Sequence, residues 1–509
     1  MFTKTAVFFL FNLSIDTLFL STLLSLILLL WVHFFNSFNI FKSEFSVFLL
    51  KYVTYFNLLF VAILQIFFWF FFLESNVNIL NLLLLDNTLN FQVTANYFNY
   101  LMTFNIKHNF FFTSWSINID LFALIIQFTG LVVGFLSYLV LDTRYFFKNI
   151  KYLTVFCIFD IVVLLFTTTN NIIFFFLFYE LLLLPSFLLV YYVSQARRGI
   201  QASLYFVIWT QIGSFLVLCA TAYLLTITNI FLFTDLKYFR FTQSEIYTLY
   251  TLYFFGFGFK VPIWPLHFWL TKTHVEASAG FSMYLSGFLV KTALYGFFKY
   301  TSIFGLGVNT TFFIVIAAIG VVDASIKMFS QVDLKKLVAF CTIQEMNLIY
   351  LMLCWGDSFG ITTAMLFILT HAFLSSLMFF LVDCIQRRYN SRSVLELSGI
   401  LHTTPNLGIS VFAMCILYSG LPGTIKFICE FYLFGQLFSI SFWFTFFLII
   451  FANLIGVVGF CRCFFNVLFG MSLKYSKMNI VDLTIKDFYI IFICLFFLIF
   501  LPYIPLWYV

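Results

Sequence analysis

The chain has 509 residues, of which 63% are hydrophobic and only 9% charged, and its mean hydropathy is +1.06. Soluble domains carry roughly 25% charged residues, so this composition excludes a soluble globular protein and requires an integral membrane protein. The formal net charge of +6 is spread over short loops with no basic block, which excludes a nucleic-acid-binding surface. Phenylalanine stands out at 81 residues; with abundant Leu, Ile, Tyr and Asn it fits an A/T-biased, organelle-type genome and reports mutation pressure more than function. The ten cysteines make no Cys-x-x-Cys pair, and most lie in apolar runs where free cysteine packs as a small hydrophobe, so iron–sulfur ligation is not expected.

Apolar stretches of about 20 residues mark membrane helices. About fourteen can be read, near 6–34, 45–73, 119–141, 153–169, 172–193, 200–228, 246–270, 276–300, 310–330, 337–354, 359–385, 406–436, 440–468 and 487–506. The first follows Lys4 and lacks a small-residue cleavage site, so it is expected to be a retained anchor rather than a signal peptide. The Asn-rich stretch 76–118 is the expected extramembrane loop. Loops after odd-numbered spans hold most cations, among them Lys42, Arg144, Arg197, Lys335, Arg387, Arg392 and Lys474, whereas the even-numbered loops hold few. By the positive-inside rule the odd loops face the cytoplasm or matrix and both termini face the other side.

Two spans are interrupted alike, the seventh at Pro262 and Pro265 and the twelfth at Pro422-Gly423. Proline removes a backbone donor and frees carbonyls, which at membrane depth only a buried or hydrated place can satisfy. Matching broken helices in two halves point to inverted repeats with sites near the midplane. The expected architecture is therefore an all-α polytopic membrane protein with inverted repeats and discontinuous helices 7 and 12. Its divisions are 1–118, a first repeat half 119–305, a second repeat half 306–470, and a C-terminal loop and helix 471–509.

Titratable residues inside these spans are the candidate site. A lysine at the bilayer centre costs about 2.5–3.5 kcal/mol and is normally kept for an ion or substrate path. Lys260 sits immediately before the first break, and Lys291 in the middle of the next apolar run, where snorkelling to the interface is hard. Glu180 follows Phe174-Phe175-Phe176-Leu177-Phe178-Tyr179; it is either a partner for Lys260 or an inter-helix hydrogen-bonding group. His371 in the eleventh span titrates near neutral pH and can relay protons, against the alternative of a packing histidine. Glu430 sits eight residues beyond Pro422, and Glu345 is a further buried acid. Asp323 and Lys327 are four apart and can form an internal ion pair. His267 and His274 give only a weak bis-histidine haem signature. No P-loop, dinucleotide fingerprint or catalytic triad occurs, and proton conduction accounts for these groups most economically.

From about Ile119 to Gln436 the chain resembles the antiporter-like subunits of respiratory complex I. The resemblance is carried by Lys260-Val261-Pro262-Ile263-Trp264-Pro265-Leu266-His267-Phe268-Trp269-Leu270, His274-Val275-Glu276-Ala277 and Leu285-Ser286-Gly287-Phe288-Leu289-Val290-Lys291. Phe178-Tyr179-Glu180, Asp333-Leu334-Lys335-Lys336-Leu337, Leu421-Pro422-Gly423-Thr424 and Glu430-Phe431 add to it. It implies a first-half ion pair Glu180–Lys260, a central Lys291, an eleventh-helix His371 and a twelfth-helix acid Glu430. Related subunits commonly carry lysine at that last position, which singles out one paralogue. It further implies a mitochondrial inner-membrane protein among other membrane-arm subunits, neighbouring antiporter-like subunits and lipids. No cofactor or metal is expected on this chain, with flavin, iron–sulfur clusters and quinone in other subunits.

Some positions depart from the family pattern. Glu345 stands where a Ser-His-Met pattern would place histidine. Lys426 occupies a usually uncharged position, four residues before Glu430 and within pairing reach on a helix. Thr271 and Ser278 replace prolines. The rival readings are a subunit of a multi-subunit cation/proton antiporter and a mainly structural membrane-arm subunit.

Overall fold

The computed structural model describes residues 103–110, 113–140, 146–193, 197–304, 310–470 and 481–500. The spans expected at 6–34 and 45–73, the N-terminal anchor and the loop cations Lys42, Arg144 and Lys474 lie outside the described residues. The helical membrane fold is as expected, and seven helices among the described residues are long and apolar enough to cross a membrane. Tertiary contacts group the chain into two compact units, one holding 103–192 and Ile230–Asp235, the other Val193–Asn229 and the residues from Leu236 onward.

The first unit opens with an addition to the helical plan. Strands β1 (Thr103–Phe110) and β2 (Thr113–Asp120) pair antiparallel inside the stretch expected to be a polar loop. The register sets Phe104 opposite Ile119, Ile106 opposite Ile117 and His108 opposite Trp115, while Asn105, Lys107 and Asn109 face Asn118, Ser116 and Ser114. Residues of like polarity are thus paired in register, with the period-two sequence pattern of a strand. Helices α1 (Leu121–Val140) and α2 (Phe146–Thr168) follow, joined by a buried bond from Gln127 Nε2 to Thr167 Oγ1 of 2.7 Å. Asn171 caps α3 (Ile172–Leu181) by accepting from Ile173 N at 2.9 Å, as a side-chain oxygen at an N-cap does. After Leu182 the span continues as α4 (Leu183–Val193).

The second unit begins with α5 (Arg197–Thr228), which packs on α6 (Gln243–Lys260). A Cβ on Gly213 would lie 2.6 Å from Gly256 O and 2.6 Å from Phe259 Cβ, so these helices approach at glycine. Small residues allow such close approach where lipid supplies no hydrophobic drive between helices. The chain then breaks and resumes in α7 (Phe268–Glu276), the expected discontinuity of the seventh span. The break satisfies its own backbone: Trp269 Nε1 donates to Phe259 O at 2.7 Å, and Asn347 Nδ2 to Pro262 O at 3.3 Å. The eighth span comprises α8 (Ala279–Tyr284), a π-helical turn Leu285–Leu289, and α9 (Val290–Phe304).

Helices α10 (Thr311–Phe329), α11 (Leu334–Trp355) and α12 (Ser358–Tyr389) come next. The last two are buried throughout their most apolar stretches and form the interior of this unit. The twelfth span breaks as expected, into α13 (Pro405–Tyr418) and α14 (Ile425–Ile440), with Gly420 and Gly423 at φ of 66° and 96° between them. The thirteenth span is α15 (Phe442–Ile449), a π-helical segment Ile450–Gly456, and α16 (Val457–Leu468); α17 (Ile485–Phe500) closes the described chain.

The loop charges after the ninth, eleventh and thirteenth spans interlock at one end of this unit. Arg392 Nε lies 2.9 Å from Asp333 Oδ2, and Arg388 Nη2 lies 2.7 Å from Asp487 Oδ2. Asp482 accepts from Asn406 N and Leu407 N at 2.9 and 3.2 Å, a carboxylate placed at the positive end of α13. Arg392 and Lys335 also donate to Val275 O and Ala277 O, closing the C-terminal end of α7. The three odd-numbered loops therefore share one face, as the charge alternation requires.

The Gly213–Gly256 contact yields a stability prediction. Gly213→Leu drives side-chain atoms into the backbone of α6, an overpacking that costs on the order of 1–3 kcal/mol. The measurement is the amount and melting temperature of the assembled complex on native gels; both should fall, whereas Gly435→Leu, with nothing within 4 Å of its Cβ, should leave them unchanged.

Candidate functional site

Irregular backbone positions the charged side chains. The π-helical turn Leu285–Leu289 interrupts the regular ladder one turn before Lys291, and Lys291 Nζ donates to Ser286 O within it. Single π turns inside α-helices are frequent at functional sites. The Lys291 side chain is fully buried, which excludes snorkelling. Its ammonium also lies 2.6 Å from Nδ1 of His371, on the interior helix α12. With lysine charged, Nδ1 accepts and the ring proton resides on Nε2.

Nε2 of His371 faces Glu345 of α11, 3.7 Å from Oε2, and has no hydrogen-bond partner. The other oxygen, Glu345 Oε1, accepts from Lys426 Nζ at 2.7 Å. Lys426 stands in the first turn of α14 and also donates to Tyr418 O, the last residue of α13, at 2.7 Å. Its ammonium lies 3.7 Å from the Tyr418 ring centroid and 3.6 Å from Glu430 Oε1. Asn453, in the π-helical segment Ile450–Gly456, donates to Glu430 Oε2 at 3.2 Å. The order of contact is Lys291, His371, Glu345, Lys426, Glu430, Asn453. With His371 neutral and the other four groups ionised, two ammonium groups face two carboxylates.

Of the residues singled out from sequence, Lys291, His371 and Glu430 are thus brought into one row. Lys260 is the last residue of α6, buried beside the first break. Glu180 belongs to the first unit, half-buried on α3 next to buried Tyr179. The helical spacing that pairs Lys426 with Glu430 is corrected in one respect: Glu345, 81 positions away, is the nearer carboxylate. No sequence periodicity connects those two residues. The available signal was that two departures from the family pattern carry opposite charges.

A second cluster surrounds the first break. Lys327 Nζ and Asp323 Oδ2 form the expected ion pair at 2.7 Å, and His267 Nε2 joins them, 3.4 Å from Asp323 and 3.2 Å from Lys327. His274 is fully buried and stacks on Phe379 with centroids 4.5 Å apart, as a packing residue does. Among the described residues no group of three or more His, Cys, Asp or Glu is arranged to hold a metal ion.

Comparison with known proteins shows the family and the fold. A family model described as NADH:quinone oxidoreductase/Mrp antiporter, TM, matches residues 169–456, a range that includes the whole row from Lys291 to Asn453. NADH-ubiquinone oxidoreductase chain 4 of Paramecium tetraurelia is 42% identical over 388 residues, 76% of this chain and 82% of that one. Two solved assemblies share the fold at 17% identity: respiratory complex I of Thermus thermophilus with bound NADH, and the Mrp complex of a Dietzia species. The first gives a TM-score of 0.76 over 97% of this chain and 96% of that one, the second 0.65 over 72% and 70%.

The break before α14 gives a direct test of how the site is held. Gly420 has a left-handed φ of 66°, and a Cβ there would meet Glu430 Oε2 at 3.0 Å. Gly420→Val therefore combines backbone strain of order 1–3 kcal/mol with a displaced carboxylate. Proton pumping per NADH oxidised should fall in whatever complex assembles, and the amount assembled should fall as well.

Proposed function

The chain belongs to the NADH:quinone oxidoreductase/Mrp antiporter transmembrane family, and from that premise we propose how its buried charges carry protons. It is an antiporter-like, proton-translocating subunit of a complex I-type NADH:ubiquinone oxidoreductase. The observation that carries the mechanism is the succession of titratable groups from Lys291 on α9 through His371 and Glu345 to Lys426 and Glu430 beyond the second break, each within 3.7 Å of the next.

Lys291 is the centre of the route. Protons enter from the matrix side by way of Lys260, and the balance between desolvation, which opposes an ammonium, and a nearby carboxylate, which favours it, sets whether Lys291 is charged. A charged Lys291 gives a proton to His371 Nδ1, and the imidazolium can then give up the Nε2 proton toward Glu345. One ring thereby accepts on one side and donates on the other, the property that suits histidine to a relay. Glu430, steadied by Asn453, is the exit acid. The 3.7 Å separation between His371 Nε2 and Glu345 is the longest step in the row and is where the route is held closed.

Redox chemistry belongs to other subunits in this reading; flavin, iron–sulfur clusters and quinone lie outside this chain, and its partners are neighbouring antiporter-like subunits of a mitochondrial inner-membrane arm. Exposed apolar residues such as Leu204, Ile208 and Phe215 on α5 and Phe492 and Phe500 on α17 suit lipid or such neighbours. The likeness to an Mrp complex supports a second reading, a cation/proton antiporter subunit, which sodium-dependent transport without quinone reduction would favour.

Lys291→Ala in the assembled complex, reconstituted in vesicles, tests the assignment. Removing one proton-transfer group should lower pumping roughly tenfold or more. Undiminished proton uptake at an unchanged rate of NADH oxidation would remove Lys291 from the route.

A further inference from the structure

Lys426 and Glu345 are two departures from the family pattern, and the structure sets them against each other. The Lys426 ammonium is 2.7 Å from Glu345 Oε1 and 3.6 Å from Glu430 Oε1, so one cation is held unequally between two carboxylates. Tyr418 steadies it from another side through its carbonyl at 2.7 Å and its ring face at 3.7 Å. The charged or titratable groups around it are Glu345, Glu430, Tyr418, Cys341, Cys461 and, across Glu345, His371. All three members of the Glu345–Lys426–Glu430 set are buried, so water competes little for them. Across Glu345, the unbonded Nε2 of His371 faces the remaining oxygen. Glu345 thus shows one oxygen to the incoming side of the route and the other to the lysine.

We propose that Lys426 is a switch that couples proton arrival at Glu345 to proton release at Glu430, moving between the two carboxylates without changing its own charge. The proposal rests on the proton route described above and adds two residues to it. The structure corresponds to the state with Glu345 ionised and Lys426 bound to it. The His371 imidazolium transfers its Nε2 proton to Glu345 Oε2, which neutralises Glu345 and ends its hold on the ammonium. Lys426 then closes on Glu430, and the arriving cation displaces the proton of that carboxylic acid to water on the exit side. The freed carboxylate keeps its bond from Asn453. The proton on Glu345 next passes to Glu430 while Lys426 returns to Glu345. Over one cycle one proton enters from His371, one leaves from Glu430, and no bond other than those to the proton changes.

A permanent structural ion pair is the rival, and the assembled complex distinguishes the two. Glu345→Gln or Lys426→Gln alone strands a buried charge and lowers assembly under either reading. The double variant Glu345→Gln/Lys426→Gln removes both charges and should restore assembly. For a switch, pumping in that double variant stays as low as in the singles, roughly tenfold or more below the unaltered complex, because members of one functional unit are not additive. Recovery of full pumping in the double variant would overturn the proposal. Infrared difference spectra of the unaltered complex during NADH-driven turnover give a second readout, with Glu345→Gln used only to assign the band. A switch requires a transient carboxylic-acid C=O band that disappears in Glu345→Gln, whereas a permanent pair keeps Glu345 ionised and shows none. If Lys291→Ala pumps normally, the route itself is wrong. If Lys291→Ala stops pumping while the double variant pumps normally, only the switch is wrong.

Discussion

A cation buried among membrane helices must be met by a carboxylate, a carbonyl or both, and regular helix offers neither, because its carbonyls are already paired along the axis. Both lysines of the charged row, and the amide that holds its terminal acid, are therefore met where a helix departs from regularity. The π-helical turn Leu285–Leu289 leaves Ser286 O to accept from Lys291. The end of α13 leaves Tyr418 O to accept from Lys426. The π-helical segment Ile450–Gly456 holds Asn453 against Glu430 and leaves Ala452 O to accept from Gln344 Nε2 at 2.9 Å. Gln344 in turn accepts from the Tyr418 hydroxyl at 2.8 Å, which ties the two irregular segments together. Backbone irregularity and buried charge are one design, and neither would be stable in this interior without the other.

The two breaks use this device differently. At the first, Trp269 and Asn347 satisfy the backbone with neutral donors, and Lys260 occupies the C-terminal end of α6, where a cation suits the helix dipole. At the second, the donor to the terminal carbonyl is itself a charged member of the row. A neutral donor makes the first break a fixed corner. A charged donor makes the second one responsive to the protonation of its neighbours.

How far the sequence reveals this follows from the range of each interaction. Helix positions and both breaks are local properties of hydropathy and proline, and they appear within a residue or a few of the expected limits, as at Lys260 and Pro405. The β1–β2 hairpin was missed although Trp115, Ile117 and Ile119 alternate with polar residues; the intervening Phe111-Phe112 lacks the Asn-Gly or Asp-Gly chemistry that announces a tight turn. Lys291, His371 and Glu430 were legible because a charge in an apolar run is anomalous wherever it points. The π-helical turns were not, since they arise from tertiary packing around those charges. The Glu345–Lys426 contact was illegible for the same reason, and only i,i+4 proximity to Glu430 was available to place the lysine.

Coulomb's law shows why a lysine shared in this way can respond to a single proton. At an effective dielectric of about 20, unit charges 2.7 Å apart attract by about 6 kcal/mol, which holds Lys426 on ionised Glu345 while Glu430, 3.6 Å away, still carries its proton. Protonating Glu345 removes that attraction outright, and loss of the Glu430 proton then supplies one of about 5 kcal/mol at the 3.6 Å already present. A lysine held by one carboxylate alone would have to leave an ion pair for nothing. One placed between two, at unequal distances, needs only to exchange partners.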